Sequence, residues 1–239
     1  MTRVMISLSV IAVTCVASLQ AAPTTYTGTL AVTGTGADGE LIAGGDWIDP
    51  TTTLTWTVDN GTTVGKWHYE YTLIVPTGGI SHMIVEVSDA DPGPIFLFGN
   101  LFDPQSTPNG WIDDPIELAE FKAGQQGGNP SMPEDMYGLK FNAEDDFDAT
   151  TVTVTFDSDR VPVWGDFYAK GGGENILYNL GFGTPDSDPL DPPGDGSIGS
   201  HVLVPDSVTA LVPAPGGLLL CGIGAALVGW LRQRRALRA

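Results

Sequence analysis

Asp186, Asp188, Asp191 and Asp195 are four hard oxygen donors spaced along one Pro- and Gly-rich stretch of the chain. Flexible Asp-rich loops can supply the several oxygen ligands that calcium needs, so these four carboxylates are the candidate metal ligands and calcium the candidate cofactor. They do not make an EF-hand: Leu190 occupies the fifth position counted from Asp186, where an oxygen-bearing side chain is required. Asp145, Asp146 and Asp148 form a second grouping, weaker as a site because it offers three carboxylates and not four. A solvated acidic loop is the competing reading of both. Trp47 and Trp111 stand beside Asp, Pro or Gly in expected loops, where an exposed indole could stack on a sugar ring, so they are the candidate ligand-binding residues. Trp67 and Trp164 lie in strand-like runs, and Trp67 is expected in the core.

His68, His82 and His201 are the three histidines, each in or beside a strand-like run, where hydrogen bonding in the core or at an edge is the ordinary role. His82 follows the turn Pro76-Thr77-Gly78-Gly79, so the hairpin register decides whether it faces the core. Neither a His-Glu-x-x-His zinc motif nor a Gly-x-Ser-x-Gly nucleophile elbow is present. Paired carboxylates could hydrolyse glycosides, but 29 acids make some pair inevitable and so carry little information. No catalytic residues are assigned.

The elements that must position these residues are strands. Leu54, Trp56 and Val58 alternate with threonines, and Trp67, Tyr69, Tyr71, Leu73 and Val75 share one face of the next run. Ile80 to Val87 and Thr151 to Phe156 repeat the pattern, between breakers such as Asp91-Pro92-Gly93-Pro94 and Gly171-Gly172-Gly173. Ile116 to Ala123 is the one stretch with helical spacing. Many short strands without alternating helices predict a mainly β chain, an antiparallel β-sandwich of jelly-roll or immunoglobulin-like type, with long decorated loops over Asp89 to Ser131 and Pro185 to Gly199.

Both ends differ from this acidic middle. Of the ten Lys and Arg residues, Arg3, Arg232, Arg234, Arg235 and Arg238 lie in the terminal segments, leaving five cations in the middle against all 29 carboxylates. Such a surface repels nucleic acid and anionic lipid. Cys15 and Cys221 also fall in the terminal segments, so the middle holds neither a disulfide nor a Cys-ligated zinc. At the start, Arg3, the apolar run Val4 to Ala17 and Ala21-Ala22 have the order of a secretory signal peptide, residues 1–22. At the other end Val212-Pro213-Ala214-Pro215 precedes the apolar run Gly216 to Leu231 and then Arg232, Arg234, Arg235 and Arg238. Extended back to Leu211, that run reaches roughly 32 Å as a helix, enough for one transmembrane crossing. The arginines place its end in the cytoplasm and the acidic domain, 23–208, outside.

The order Pro-x-Pro, short apolar helix and arginine cluster over 209–239 resembles the C-terminal sorting segment of PEP-CTERM proteins, which Gram-negative, often biofilm-forming bacteria process with an exosortase. Ala214 stands where that family's eponymous Glu is found, giving a Pro-Ala-Pro form. The segments Trp67 to Val75 with Ile80-Ser81-His82, and Val163 to Lys170 leading to Tyr178-Asn179-Leu180-Gly181-Phe182, are also similar to parts of such proteins. The resemblance implies an exported protein whose partner is an exosortase-type enzyme, held in the membrane through its C-terminus before delivery to the cell surface or extracellular matrix. A noncatalytic surface protein is therefore expected. The alternatives are a carbohydrate-binding module that takes extracellular polysaccharide, with or without calcium, and a glycoside-active enzyme.

Overall fold

A computed structural model describes residues 22–32, 37–89, 95–112, 115–124, 128–144, 147–183 and 188–209, with the backbone alone over 206–209. Residues 1–21 of the signal-peptide segment, Asp145, Asp146, Asp186 and residues 210–239 of the sorting segment lie outside the described residues. Among those described, no helix is long and apolar enough to cross a membrane.

Pro23–Ala210 forms one compact unit, and it is mainly β. Its strands are β1 (Thr25–Ala31), β2 (Gly39–Gly44), β3 (Thr53–Asp59), β4 (Trp67–Ile74), β5 (Ile80–Glu86), β6 (Leu101–Thr107), β7 (Glu117–Phe121), β8 (Met136–Asn142), β9 (Thr151–Ser158), β10 (Arg160–Gly165), β11 (Phe167–Gly171), β12 (Ile176–Asn179) and β13 (Val202–Thr209). Eleven of them form one sheet in the order β6-β9-β4-β3-β1-β2-β12-β11-β5-β8-β7, and β10 pairs with β13 in a second, two-stranded sheet.

The large sheet is mixed rather than purely antiparallel. β1 meets β2 in parallel over two rungs, Leu30 with Gly39 and Ala31 with Glu40, whereas every other neighbouring pair runs antiparallel. Because the end of β1 meets the start of β2, this short contact is a seam where the chain steps between two antiparallel halves. The sheet curls. Phe156 of β9 and Phe141 of β8 belong to opposite halves, yet their ring centroids are 5.8 Å apart.

The alternation legible in the sequence fills the space between the halves. Leu54, Trp56 and Val58 of β3 and Tyr69, Tyr71 and Leu73 of β4 are buried in one core with Met83, Val85, Phe141, Val152, Val154 and Phe156. The two-stranded sheet completes that core with Trp164, Leu203 and Val204. Two tyrosine hydroxyls fasten it: Tyr69 donates to the Arg160 carbonyl at 2.9 Å and Tyr71 to the Leu203 carbonyl at 2.7 Å. A smaller cluster of Ile84, Phe121, Met132, Met136, Tyr168, Ile176 and Phe182 covers the other face of the second half.

Two expectations are corrected. Ile116 to Ala123 is not helical: Glu117–Phe121 is an edge strand paired with β8 from Glu117–Lys140 to Phe121–Met136. Leu118 packs on the central core while Ala119 and Phe121 face the smaller cluster. Apolar residues needed on both faces of a strand imitate helical spacing. Asp89 to Ser131 is likewise not a decorated loop alone, since it contains β6 and β7.

Candidate metal centre

The residue that organises the site is Asp166, the single residue between β10 and β11. Its backbone is clamped to the end of β5: its N–H donates to Glu86 Oε2 at 2.7 Å, and its carbonyl accepts from the Glu86 N–H at 3.0 Å. Its side chain is 8% exposed, and Oδ1 accepts from Asn179 Nδ2 at 2.7 Å. Asn179, at the end of β12, uses its own Oδ1 to accept the Phe167 N–H at 2.8 Å. The bend between the two sheets thus fixes a carboxylate in the interior.

His201 is the residue directly before β13. The tight turn that delivers it is closed by the His201 N–H to the Ile198 carbonyl at 3.0 Å and by Ser197 Oγ to the His201 carbonyl at 2.6 Å. Its side chain is 5% exposed. Nδ1 lies 3.1 Å from the Ile198 carbonyl, which can only accept, so Nδ1 is the donor there and Nε2 is the nitrogen left facing the carboxylates. Glycine makes room for the ring: a Cβ on Gly181 would stand 2.5 Å from His201 Cε1, far inside van der Waals contact.

Nε2 points at two carboxylates. Asp166 Oδ1 is 3.7 Å away and Asp188 Oδ1 is 3.8 Å away, both beyond hydrogen-bonding length. One donor atom from each of Asp166, Asp188 and His201 lies within 4.8 Å of the others. Asp188 comes from the chain between β12 and β13 and is 39% exposed, so the cluster opens to solvent on its side.

The electrostatics follow from burial. Desolvation raises the Asp166 carboxyl above the usual carboxylate range, against the opposing pull of Asn179 and His201. Glu86 is raised further, first by desolvation and then by the negative charges of Asp188, Asp166 and Asp89. One imidazole nitrogen and two carboxylate oxygens, with a third carboxyl behind them, form a donor set for a cation.

Of the three described aspartates among those expected to bind calcium, Asp188 alone enters this cluster. Asp191 is exposed, and Asp195 Oδ1 accepts the Thr27 N–H at 3.0 Å, binding its loop to β1. The sequence reading missed Asp166 and His201, which are 22 and 13 residues away along the chain from Asp188; only the return of β13 brings them together. The expected surface placement of Trp47 and Trp111 is also corrected, because both are wholly buried. Trp47 Nε1 donates to the Thr77 carbonyl at 2.9 Å and Trp111 Nε1 to the Ile80 carbonyl at 3.1 Å. Turns that flank these residues fold over the ends of the strands and insert the indoles into the core. Neither offers a face to a sugar. Trp67, expected in the core, is only partly buried and stacks on Tyr26 at 6.1 Å.

The other two histidines are engaged elsewhere. His68 Nδ1 lies 2.7 Å from Asp157 Oδ1, and Thr63 Oγ1 donates to the other oxygen of the same carboxylate at 2.7 Å. His82 is buried on the outer face of β5, with Nε2 3.1 Å from Asn129 Oδ1. Comparison with models of protein families, with curated proteins and with solved structures finds no match for this chain.

Proposed function

We propose that the chain is a noncatalytic exported protein of the cell surface or extracellular matrix. In this reading residues 1–22 are a removable signal peptide, 23–208 a β-sandwich ectodomain, and 209–239 a PEP-CTERM-like segment processed by an exosortase-type enzyme. The observation that carries it is the order of the tail: Pro213-Ala214-Pro215, the apolar run Gly216–Leu231, and four arginines. Two antiparallel halves meeting through Phe141 and Phe156 support the sandwich reading. Burial of Trp47 and Trp111 takes from the carbohydrate-binding alternative the aromatic faces it relied on.

The tail's parts have separable physical jobs. An apolar helix needs only hydrophobicity to enter the bilayer, arginines hold its end in the cytoplasm, and a Pro-x-Pro segment keeps the backbone extended for a processing enzyme. In a host with an exosortase, replacing Pro213 and Pro215 by Ala is expected to leave membrane insertion intact and to stop C-terminal trimming, as read by fractionation and mass measurement. Trimming of the double variant at the wild-type rate would contradict the sorting role and leave Gly216–Leu231 as an ordinary anchor.

A further inference from the structure

We propose that Asp166, Asp188 and His201 bind one divalent first-row transition-metal ion of zinc type, and that the ion clips the last strand of the ectodomain to the β10–β11 bend. The carboxylates alone would not carry this. The independent observation is His201, with its side chain only 5% exposed, whose Nε2 makes no hydrogen bond among the described residues and faces the two Asp oxygens at 3.7 and 3.8 Å.

Three features fit a metal better than an ion pair. A His–Asp pair that had evolved for charge alone would close to hydrogen-bonding length, roughly 2.7–2.9 Å, whereas here both carboxylates stop nearly 1 Å short. Tetrahedral donors at about 2.0–2.1 Å from zinc stand about 3.3 Å apart, so a modest inward movement of the partly exposed Asp188 closes the site around an ion. The far nitrogen of His201 is already fixed on the Ile198 carbonyl, which is the way metal-ligating imidazoles are held in the tautomer that leaves the other nitrogen open. Asn179 holds the Asp166 carboxylate in the same manner.

The donor types select the class of ion. Calcium and magnesium prefer all-oxygen shells of six to eight or six ligands, whereas imidazole with carboxylate suits zinc, manganese or cobalt. Glu86, whose Oε2 accepts the Asp166 N–H at 2.7 Å, places a third carboxyl close behind the site. With three protein ligands, the remaining positions fall to solvent on the open side of Asp188. The mechanical result is a cross-link among three segments that are distant in sequence: the β10–β11 bend, the chain between β12 and β13, and the start of β13. β13 is the last strand before residues 210–239, so the clip lies where any pull on the C-terminal tail reaches the ectodomain.

The test uses the full-length chain, purified in detergent and stripped with a chelator. Titration with Zn²⁺ against a chromogenic competitor is expected to show one tight equivalent, and Co²⁺ in its place to give visible absorption of a low-coordinate nitrogen–oxygen site. His201→Gln and Asp188→Asn are each expected to weaken zinc at least tenfold and to abolish the cobalt spectrum. Asp188 is partly exposed, so its variant keeps the test valid if His201→Gln fails to fold; circular dichroism checks each. Absence of a tight equivalent, zinc binding by a folded variant equal to wild type, or displacement of zinc by an equimolar amount of Ca²⁺ would overturn the proposal.

Discussion

His82 and His201 are buried to similar depth, at 8% and 4% exposure, yet their surroundings differ in sign. His201 faces carboxylates. His82 lies beside Lys140 and Lys170, with Glu117 the one nearby acid acting on it, and its Nε2 meets the amide oxygen of Asn129. Burial, and then the Lys140 charge, lower its pKa from 6.5 to about 4. Above pH 6.5 the ring is neutral in both folded and unfolded chains and contributes no pH dependence. As pH falls from 6.5 toward 4 the unfolded chain takes up a proton that the folded chain refuses, so stability is lost across that window and the loss levels off below about 4. The whole effect is at most roughly 3 kcal/mol at 1.36 kcal/mol per unit. Urea unfolding from pH 7 to pH 4 is expected to show a shallower decline for His82→Gln than for wild type; parallel profiles would contradict the assignment. A hydrogen-bonding role for this histidine was legible in the sequence, because that is the ordinary role of a histidine in a strand; which face it took was not, because the hairpin before it allowed two registers. The roles of Trp47 and Trp111 were not: a turn-like neighbourhood describes the backbone around an indole and says nothing of where the ring inserts.

At the scale of elements, the strands read most clearly were those with one wet face. β3, β4 and β9 alternate because threonines and charged residues line their other side, and their apolar residues fill the central core. β5 gave a weaker signal, since Met83 and Val85 face the central core while Ile84 faces the smaller cluster. β7 shows the same two-sided burial over only five residues and was misread as helix for that reason. β10 and β13 could not be paired from sequence, because some forty residues separate them. Their attachment to the large sheet depends on specific hydrogen bonds as well as apolar area. Tyr71→Phe removes the 2.7 Å bond from β4 to the Leu203 carbonyl in a fully buried place, and a net cost of about 1–2 kcal/mol is expected in the unfolding free energy. A change below about 0.3 kcal/mol would show that the carbonyl finds another donor and that this bond does not fasten β13.

Over the whole molecule, charge and order along the chain carry the functional reading. The segment between the ends holds every carboxylate and is depleted of cations, while the ends hold the apolar runs and half of the basic residues. Such a division suits a chain whose middle is passed across a membrane and whose end is held back by arginines. It was open to inspection in the sequence alone, because it depends on composition and not on contacts. The seam between β1 and β2, the curl of the sheet and the meeting of Asp166, Asp188 and His201 were not, since each depends on pairings between segments far apart in the chain. The central claim is export with removal of both ends, and intact-mass measurement of the chain recovered from the surface of an exosortase-bearing host tests it most directly. The expected product begins after residue 21 or 22 and has lost the arginine-rich end, including Arg238. A surface-recovered chain with the mass of the whole sequence, carrying both Met1 and Arg238, would contradict it.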